Sequence, residues 1–455
     1  MLRTVCDRPT LWEALLPPEA LVMPAELVAV DELLDDPRFF EPFRAHFDPF
    51  WGRPSIPIET YLRLMFLKYR YRLGYETLCA EVTDSLSWLR FARIPLGGSA
   101  PHPSTLMKIT TRCGPELIEE LNAALVAKAV EAGVVEMGWL RADTTVVPAD
   151  IKYPTDSGLL VKGITKAAGL VARIQAAGVA PRTMFDDRTA DARQAAHRIG
   201  SKLRRRSDEA KAEVLAITGD LADLAQTAVE QAKRVLVNAR RVDNRPVKRL
   251  RRMLADLDHL LDALAQIIAQ TRIRLAGEVP PSKTRRVSLC DGDARPIRKG
   301  SLAKPTQFGY TAQVTDNRQG IVVDFELEAG MPPDAPRLAP AIERAIAAVG
   351  VVPDAVTADR GYGQRSVDEE LGALGVDLVA VLRKGKTSQV RQAVEQADDF
   401  VELIKWRTGA EGRIAALKRQ HGLDRARIRG LTGARIWCGW GVLCHNATKI
   451  AALTI

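Results

Sequence analysis

Two short apolar segments, each strand-like and each carrying one aspartate, lie 216 positions apart in this chain, at Asp143 and Asp359. The first is Leu140-Arg-Ala-Asp-Thr-Thr-Val-Val147, where β-branched residues favour a strand that Pro148 ends. The second is Val356-Thr-Ala-Asp-Arg-Gly-Tyr362, a short buried strand closing on its aspartate. Aspartate is poorly suited to a strand interior, so Asp143 needs a reason to be there; capping and turn roles are the ordinary ones, catalysis the other. A third acid, Glu411, stands in Arg407-Thr-Gly-Ala-Glu-Gly-Arg-Ile-Ala-Ala-Leu-Lys418, which reads as an amphipathic helix. Two aspartates on strands and a glutamate on a helix suit a hard divalent cation such as Mg2+, which takes oxygen ligands. Magnesium held in that way serves in-line phosphoryl transfer.

Composition narrows the partner. The chain has 455 residues, more than one compact core holds, and 65 Lys and Arg against 56 Asp and Glu give a net charge of +9. That excess favours a polyanion, and double-stranded DNA is the phosphodiester at hand. No charge-free run approaches the ~20 residues of a membrane helix, and the N-terminus shows no secretory apolar stretch, so a cytoplasmic, nucleoid-associated protein with no membrane partner is expected. The six cysteines include no C-x2-C pair. Cys438, Cys444 and His445 fall in an apolar helix over 436–453 and read as buried small residues rather than a zinc site. No G-x4-G-K-[S/T] loop occurs, so no nucleotide cofactor is expected.

Along the chain, residues 1–135 read as all-helical. Ile58, Leu62, Met65, Phe66, Tyr69 and Leu73 recur at helical spacing, Gly74 permits a turn, and Ser104 is a candidate helix cap. Arg63, Lys68, Arg70 and Arg72 on these short helices suggest a helix-turn-helix reader of DNA, the alternative being a packing domain with solvated charges. From about 165 to 277 the pattern is helical again. Val214, Ile217, Leu221, Leu224 and Ala228 form one apolar stripe, and Leu250, Leu254, Leu257, Leu261, Leu264 and Ile268 another. Two such stripes around a turn at 244–246 predict an antiparallel helical hairpin. The basic run at 204–206 lies just before it. Beyond 278 strands return, with a hairpin around 316–319, a helix over 338–349, the strand ending at Asp359, a helix over 367–374 and a strand over 376–382.

These blocks together resemble the DDE transposases of bacterial insertion sequences, ISNCY-like in the N-terminal Pro57-Ile-Glu-Thr-Tyr-Leu-Arg-Leu64. One branch of that superfamily carries its third carboxylate in Tyr-x2-Arg-x3-Glu-x6-Lys. Here Arg407, Glu411 and Lys418 match three of the four positions, while Ile404 stands where the tyrosine would be. Asp359-Arg-Gly-Tyr362 and Lys304-Pro-Thr-Gln-Phe-Gly-Tyr310 extend the likeness. The resemblance implies an α/β protein, α+β overall, with an RNase H-like catalytic core in 136–164 and 278–455. It also implies an N-terminal helical DNA-binding domain in 1–135 and a helical-hairpin insertion in 165–277. In that fold the first and fourth strands are neighbours, which would bring Asp143 beside Asp359.

By the same resemblance Asp143, Asp359 and Glu411 are both the catalytic residues and the metal ligands. Asp143 would bridge two Mg2+ (or Mn2+) ions and each of the other two acids would hold one. Arg407 and Lys418 would touch DNA, their structural alternative being an ion-pair ladder along the helix. The expected reaction is metal-dependent cleavage at the element's ends followed by strand transfer into target DNA, carried out by a homo-oligomer. Arg360, Arg383, Lys384 and Lys386 follow strand ends where DNA contact is reasonable. The alternatives are a metal-dependent nuclease on the same fold and a non-catalytic DNA-binding protein derived from a transposase.

Overall fold

The computed structural model describes residues 1–3, 16–17, 19, 22–202, 207–242, 248–298 and 305–454. Cys6, the basic run at 204–206, the turn expected at 244–246 and Lys304 lie outside the described residues. In chain order the helices α1 (Ala25–Leu34), α2 (Ile58–Arg70), α3 (Tyr75–Asp84), α4 (Leu86–Phe91) and α5 (Pro103–Glu131) precede strand β1 (Trp139–Pro148). Helices α6 (Asp156–Ala176), α7 (Thr189–Lys202), α8 (Asp208–Val242) and α9 (Lys248–Leu275) follow. Next come β2 (Arg295–Ile297), β3 (Gln307–Asn317) and β4 (Val322–Ala329). The last part holds α10 (Leu338–Val349), β5 (Ala355–Ala358), α11 (Arg365–Ala373), β6 (Leu378–Ala380), α12 (Gln389–Glu395), α13 (Asp398–Arg407), α14 (Ala410–His421) and α15 (Gly430–Thr454). Chain contacts divide the protein into two compact units, residues 1–150 with 310–455 and residues 151–309.

The first unit is built on a mixed sheet. β4 pairs antiparallel with β3, β3 neighbours β1, and β1, β5 and β6 run parallel. Parallel neighbours need crossovers, and α11 supplies the one between β5 and β6. The helices of residues 25–131 share one hydrophobic core with this sheet and with α15, so they form part of this unit. Apolar residues cover every side of α2, and each residue from Ile58 to Tyr69 is buried. Its Tyr61 ring lies edge-on between Phe43 and Trp440, with centroids 5.9 and 5.8 Å away.

Burial on that scale removes Arg63 and Lys68 from the expected DNA-reading face, while Arg70 and Arg72 remain partly exposed and ion-paired. Arg63 is fully buried and paired with Asp31, and Lys68 is buried among aromatic rings. Arg70 is held by Glu26 and Arg72 by Asp424. An amphipathic stripe alone does not say how much of the opposite face other helices will cover. The start of α5 also differs from expectation. His102 is the cap, its Nδ1 accepting the Ser104 N–H at 3.2 Å, and Pro103 occupies the first turn, where its missing N–H costs nothing.

α15 is apolar on nearly all sides, and Cys438, Cys444 and His445 are buried in it. Burial holds both thiols above the usual range and pushes His445 down to about 3, so its ring is neutral. Among the described residues no helix is long and apolar enough to cross a membrane.

The second unit has its own core, in which Leu160, Ile164 and Val171 of α6 meet Leu221, Leu257 and Leu264. Ion pairs Arg240–Asp258 and Arg272–Asp223 show that α8 and α9 run antiparallel, as the two stripes require. The unit starts at 151, earlier than the expected 165, because α6 contributes its apolar face to this core. Thr155 caps α6, its hydroxyl accepting the Gly158 N–H at 3.1 Å.

Candidate active site

The register of β1 on β5 runs Trp139↔Ala355, Leu140↔Val356, Arg141↔Thr357 and Ala142↔Ala358. The next pair along is Asp143 and Asp359. Parallel neighbours lie about 4.8 Å apart and in-register side chains point to the same face. Asp359 keeps an extended backbone, φ −62° and ψ 156°, so it continues the strand direction by one residue. The fold therefore brings together at one sheet edge two acids that are remote in sequence. Asp143 is half-buried and accepts its neighbour's N–H, from Thr144, at 2.7 Å, while Asp359 is exposed.

Behind the pair lies Tyr362, fully buried, its hydroxyl donating to Gln313 Oε1 at 3.3 Å. Burial holds the phenol far above its usual pKa, and the negative charges of Asp334, Asp143 and Asp359 add to the effect. A Cβ placed on Gly361 would lie 3.1 Å from Asp334 Oδ2 and 3.8 Å from Asp359 Oδ2, so Asp334 is a further carboxylate on this edge. Nothing in its own sequence segment marked it. The loop after β6 is latched to the same place, with Lys384 Nζ donating to the Gly361 carbonyl at 2.6 Å and Arg360 Nε to the Arg383 carbonyl at 3.0 Å. Arg383 is further committed to Asp368 at 2.6 Å.

Glu411 lies exposed in the first turn of α14. Arg141, two residues before Asp143 and on the same face of β1, ties the preceding helix α13 to the strand and, through Asp316, reaches α14. Its guanidinium grips both oxygens of Asp316 on β3 at 2.8 and 2.9 Å, and donates to the Trp406 carbonyl at the end of α13 at 2.7 Å. Arg413 of α14 reaches the same carboxylate at 3.0 Å. Two cations on one buried carboxylate thus join β1, β3 and the α13–α14 segment, and Arg141 also lies against the Trp406 ring. Close approach needs glycines at two points. A Cβ on Gly409 would come 2.9 Å from Arg141 Nη1, and one on Gly320 would come 1.6 Å from Arg413 Nη2. Gly320 also has φ +81°, a left-handed backbone disfavoured for other residues.

Gly320→Ala is therefore expected to cost about 1–3 kcal/mol, from overpacking and backbone strain together. A urea midpoint unchanged from the wild type would show that Arg413 does not lie across that turn.

Glu411 and Lys418, seven residues apart on α14, share a helix face and are about 10 Å apart along the axis. Arg407 is the last residue of the preceding helix α13, separated from α14 by a turn at 408–409. The structure so unites Asp143 with Asp359 and sets Glu411 and Lys418 on one neighbouring helix face. Among the described residues no three acid, imidazole or thiol side chains stand close enough to enclose one metal ion, so Glu411 is not within a common ligand shell with the two aspartates. Arg141, Asp316 and Arg413 went unnoticed in the sequence, although an arginine two positions before a strand aspartate is itself a same-face signal.

Comparison with known proteins gives the family. Residues 12–112 match a transposase domain family (DUF772), and residues 284–447 match the transposase DDE domain. The DDE match includes Asp359, Glu411 and Lys418, and Asp143 lies outside it. A protein of Rhizobium meliloti, the uncharacterized ORF8 of the nfe locus, is 30% identical over 152 residues, which are 32% of this chain and 73% of the relative. No solved structure matches. The class is that of metal-dependent enzymes of DNA transposition, whose DDE domain implies an RNase H-like core. The chain belongs to the DDE transposases of insertion sequences.

Proposed function

We propose that this transposase binds the ends of its element and cuts and joins DNA strands at the edge formed by Asp143 and Asp359. The observation that carries the reading is the parallel register of β1 on β5, which sets those two acids side by side. Their donor set is hard oxygen only. That fits Mg2+ or Mn2+, since magnesium keeps several waters and is commonly held by one or two carboxylates together with substrate phosphates. Such an ion, when bound, lowers the cost of charge at the attacking and leaving oxygens of a phosphodiester. Asp143 and Asp359 would hold it, and Glu411 would complete a second position once α14 closes on DNA.

In this reading Arg141, Asp316 and Arg413 anchor the α13–α14 segment beside β1 and β3. Lys418 holds a backbone phosphate along the Glu411 face, and Arg407 contacts DNA from the end of α13. The first unit would form an RNase H-like core to which residues 1–135 contribute end recognition, with the helical unit inserted in sequence between β1 and β3. Because Arg63, Lys68, Arg70 and Arg72 are buried or paired, end recognition would fall to other exposed residues of this region. Pairing of two element ends calls for at least two copies of the chain, acting at the nucleoid.

The test is a cleavage and joining assay on DNA carrying candidate ends, in Mg2+ or Mn2+. Nicked ends and strand-transfer products are expected, whereas cleavage without any joined product would mark a nuclease and overturn the transfer step. Lys418→Ala should weaken end binding and lower its salt slope by roughly one unit, because one phosphate contact is removed. An unchanged slope would place Lys418 in an ion-pair ladder instead.

A further inference from the structure

Away from the carboxylates, a cavity of about 560 Å³ opens between α2, α3, the end of α14 and the start of α15. Its inner wall carries Lys68, which is only 2% exposed. The Lys68 Nζ lies 4.2, 4.4 and 4.8 Å from the ring centroids of Tyr69, Trp437 and Tyr75. Among the described residues no carboxylate pairs with this ammonium. The two acids lining the cavity are already engaged, Asp424 with Arg72 and Asp150 with Arg425. Two more buried polar atoms of the cavity residues have no hydrogen-bond partner, the Tyr69 hydroxyl and Nδ1 of His421. Arg427 and Arg429 stand exposed and also line it. A buried cation with aromatic faces around it and further cations nearby lacks one thing, an anion.

We propose that this cavity is an oxyanion site that takes a phosphate group, with Lys68 and His421 binding it from inside and Arg427 from the rim. Burial, with Arg427 nearby, pushes Lys68 down to about 7, so a bound anion restores the charge that burial takes away. His421, held at about 4 by burial and Arg70, is neutral and can donate from Nδ1. The site lies at the far end of α14, about 15 Å along the helix from Glu411. Its phosphate can come from a DNA backbone passing along α14 or from a free phosphate compound. The inference stands whether or not Asp143 and Asp359 hold metal.

The experiment is a titration of the full chain with sulfate, whose charge is constant near neutrality, followed by calorimetry. Saturable binding is expected, weakening about tenfold from pH 6 to pH 8 as Lys68 loses its proton. The other charged groups facing the cavity are Arg72, Asp150, Asp424, Arg427 and Arg429, and His421, lowered to about 4, stays neutral through that window. Lys68→Met should reduce affinity at least tenfold and flatten the pH response. Arg427→Ala, at an exposed position, should weaken sulfate severalfold with thermal unfolding unchanged, and so decides the matter even if Lys68→Met fails to fold. Competition by a short single-stranded oligonucleotide would assign the site to DNA, and competition by inorganic phosphate alone would assign it to a free ligand. No saturable sulfate binding, or binding indifferent to both substitutions, overturns the proposal.

Discussion

Asp143→Asn and Asp359→Asn are each expected to lower strand cleavage at least a thousandfold, equivalent to ~4 kcal/mol of transition-state stabilisation, with binding to end DNA retained. Each substitution keeps the side-chain shape and removes the charge that a divalent ion needs. The adjacent register of β1 and β5 makes the two losses alike, because either variant leaves only one of the paired aspartates at this edge. Combining them should add little, as expected for residues that act as one unit. Asp143 is half-buried and Asp359 exposed, so neither change should disturb the core. Cleavage by either variant within tenfold of the wild type would remove that residue from the site. Glu411→Gln should behave in the same way if α14 closes on the pair, and DNA binding again serves as the control.

Arg141→Leu should have the largest effect on stability, about 3–5 kcal/mol, because it breaks a buried ion pair from one side. The Arg141 and Asp316 side chains are only 6% and 3% exposed, so the carboxylate left behind keeps Arg413 as its partner but loses two bonds. The Trp406 carbonyl loses one of its donors as well, keeping the Gly409 N–H at 3.1 Å. Urea unfolding measures the cost. The functional signature is separate: at temperatures where the variant is folded, cleavage should fall more than DNA binding, since α14 loses its tie to β1. A variant as stable as the wild type would mean that Asp316 and Arg413 suffice. Equal losses of binding and cleavage would mean that the clamp serves folding alone.

The strands and helices around the edge proposed for catalysis were legible because they have plain signals. β1 ends at its proline, α10 falls on its expected 338–349, and β5 closes on Asp359. The meeting of Asp143 and Asp359 followed from a resemblance, since nothing in either segment says which strands pair. What escaped the sequence is mostly long-range polar chemistry. Arg141, Asp316 and Arg413 lie in three separate segments, and their joint role exists only when the sheet and α14 are assembled. Asp334 likewise approaches Asp359 only through the turn at Gly361. The basic residues of α2 misled for the opposite reason. Charge suggests solvent, yet in a helix covered on every side Arg63 found Asp31 and Lys68 found three aromatic rings. The cavity around Lys68 was equally invisible, because its walls come from segments more than three hundred residues apart.

The central claim is that Asp143 and Asp359 hold one divalent cation, and iron-mediated cleavage of the protein chain tests it most directly. Fe2+ substituted into the site and activated with ascorbate and peroxide cuts the backbone near its ligands. The account predicts cuts close to residues 143 and 359, suppressed by excess Mg2+ or Mn2+ and abolished by either Asp143→Asn or Asp359→Asn. With end DNA bound, a further cut close to 411 is expected. Cuts confined to other parts of the chain, or cuts at 143 and 359 that survive both substitutions, would contradict it.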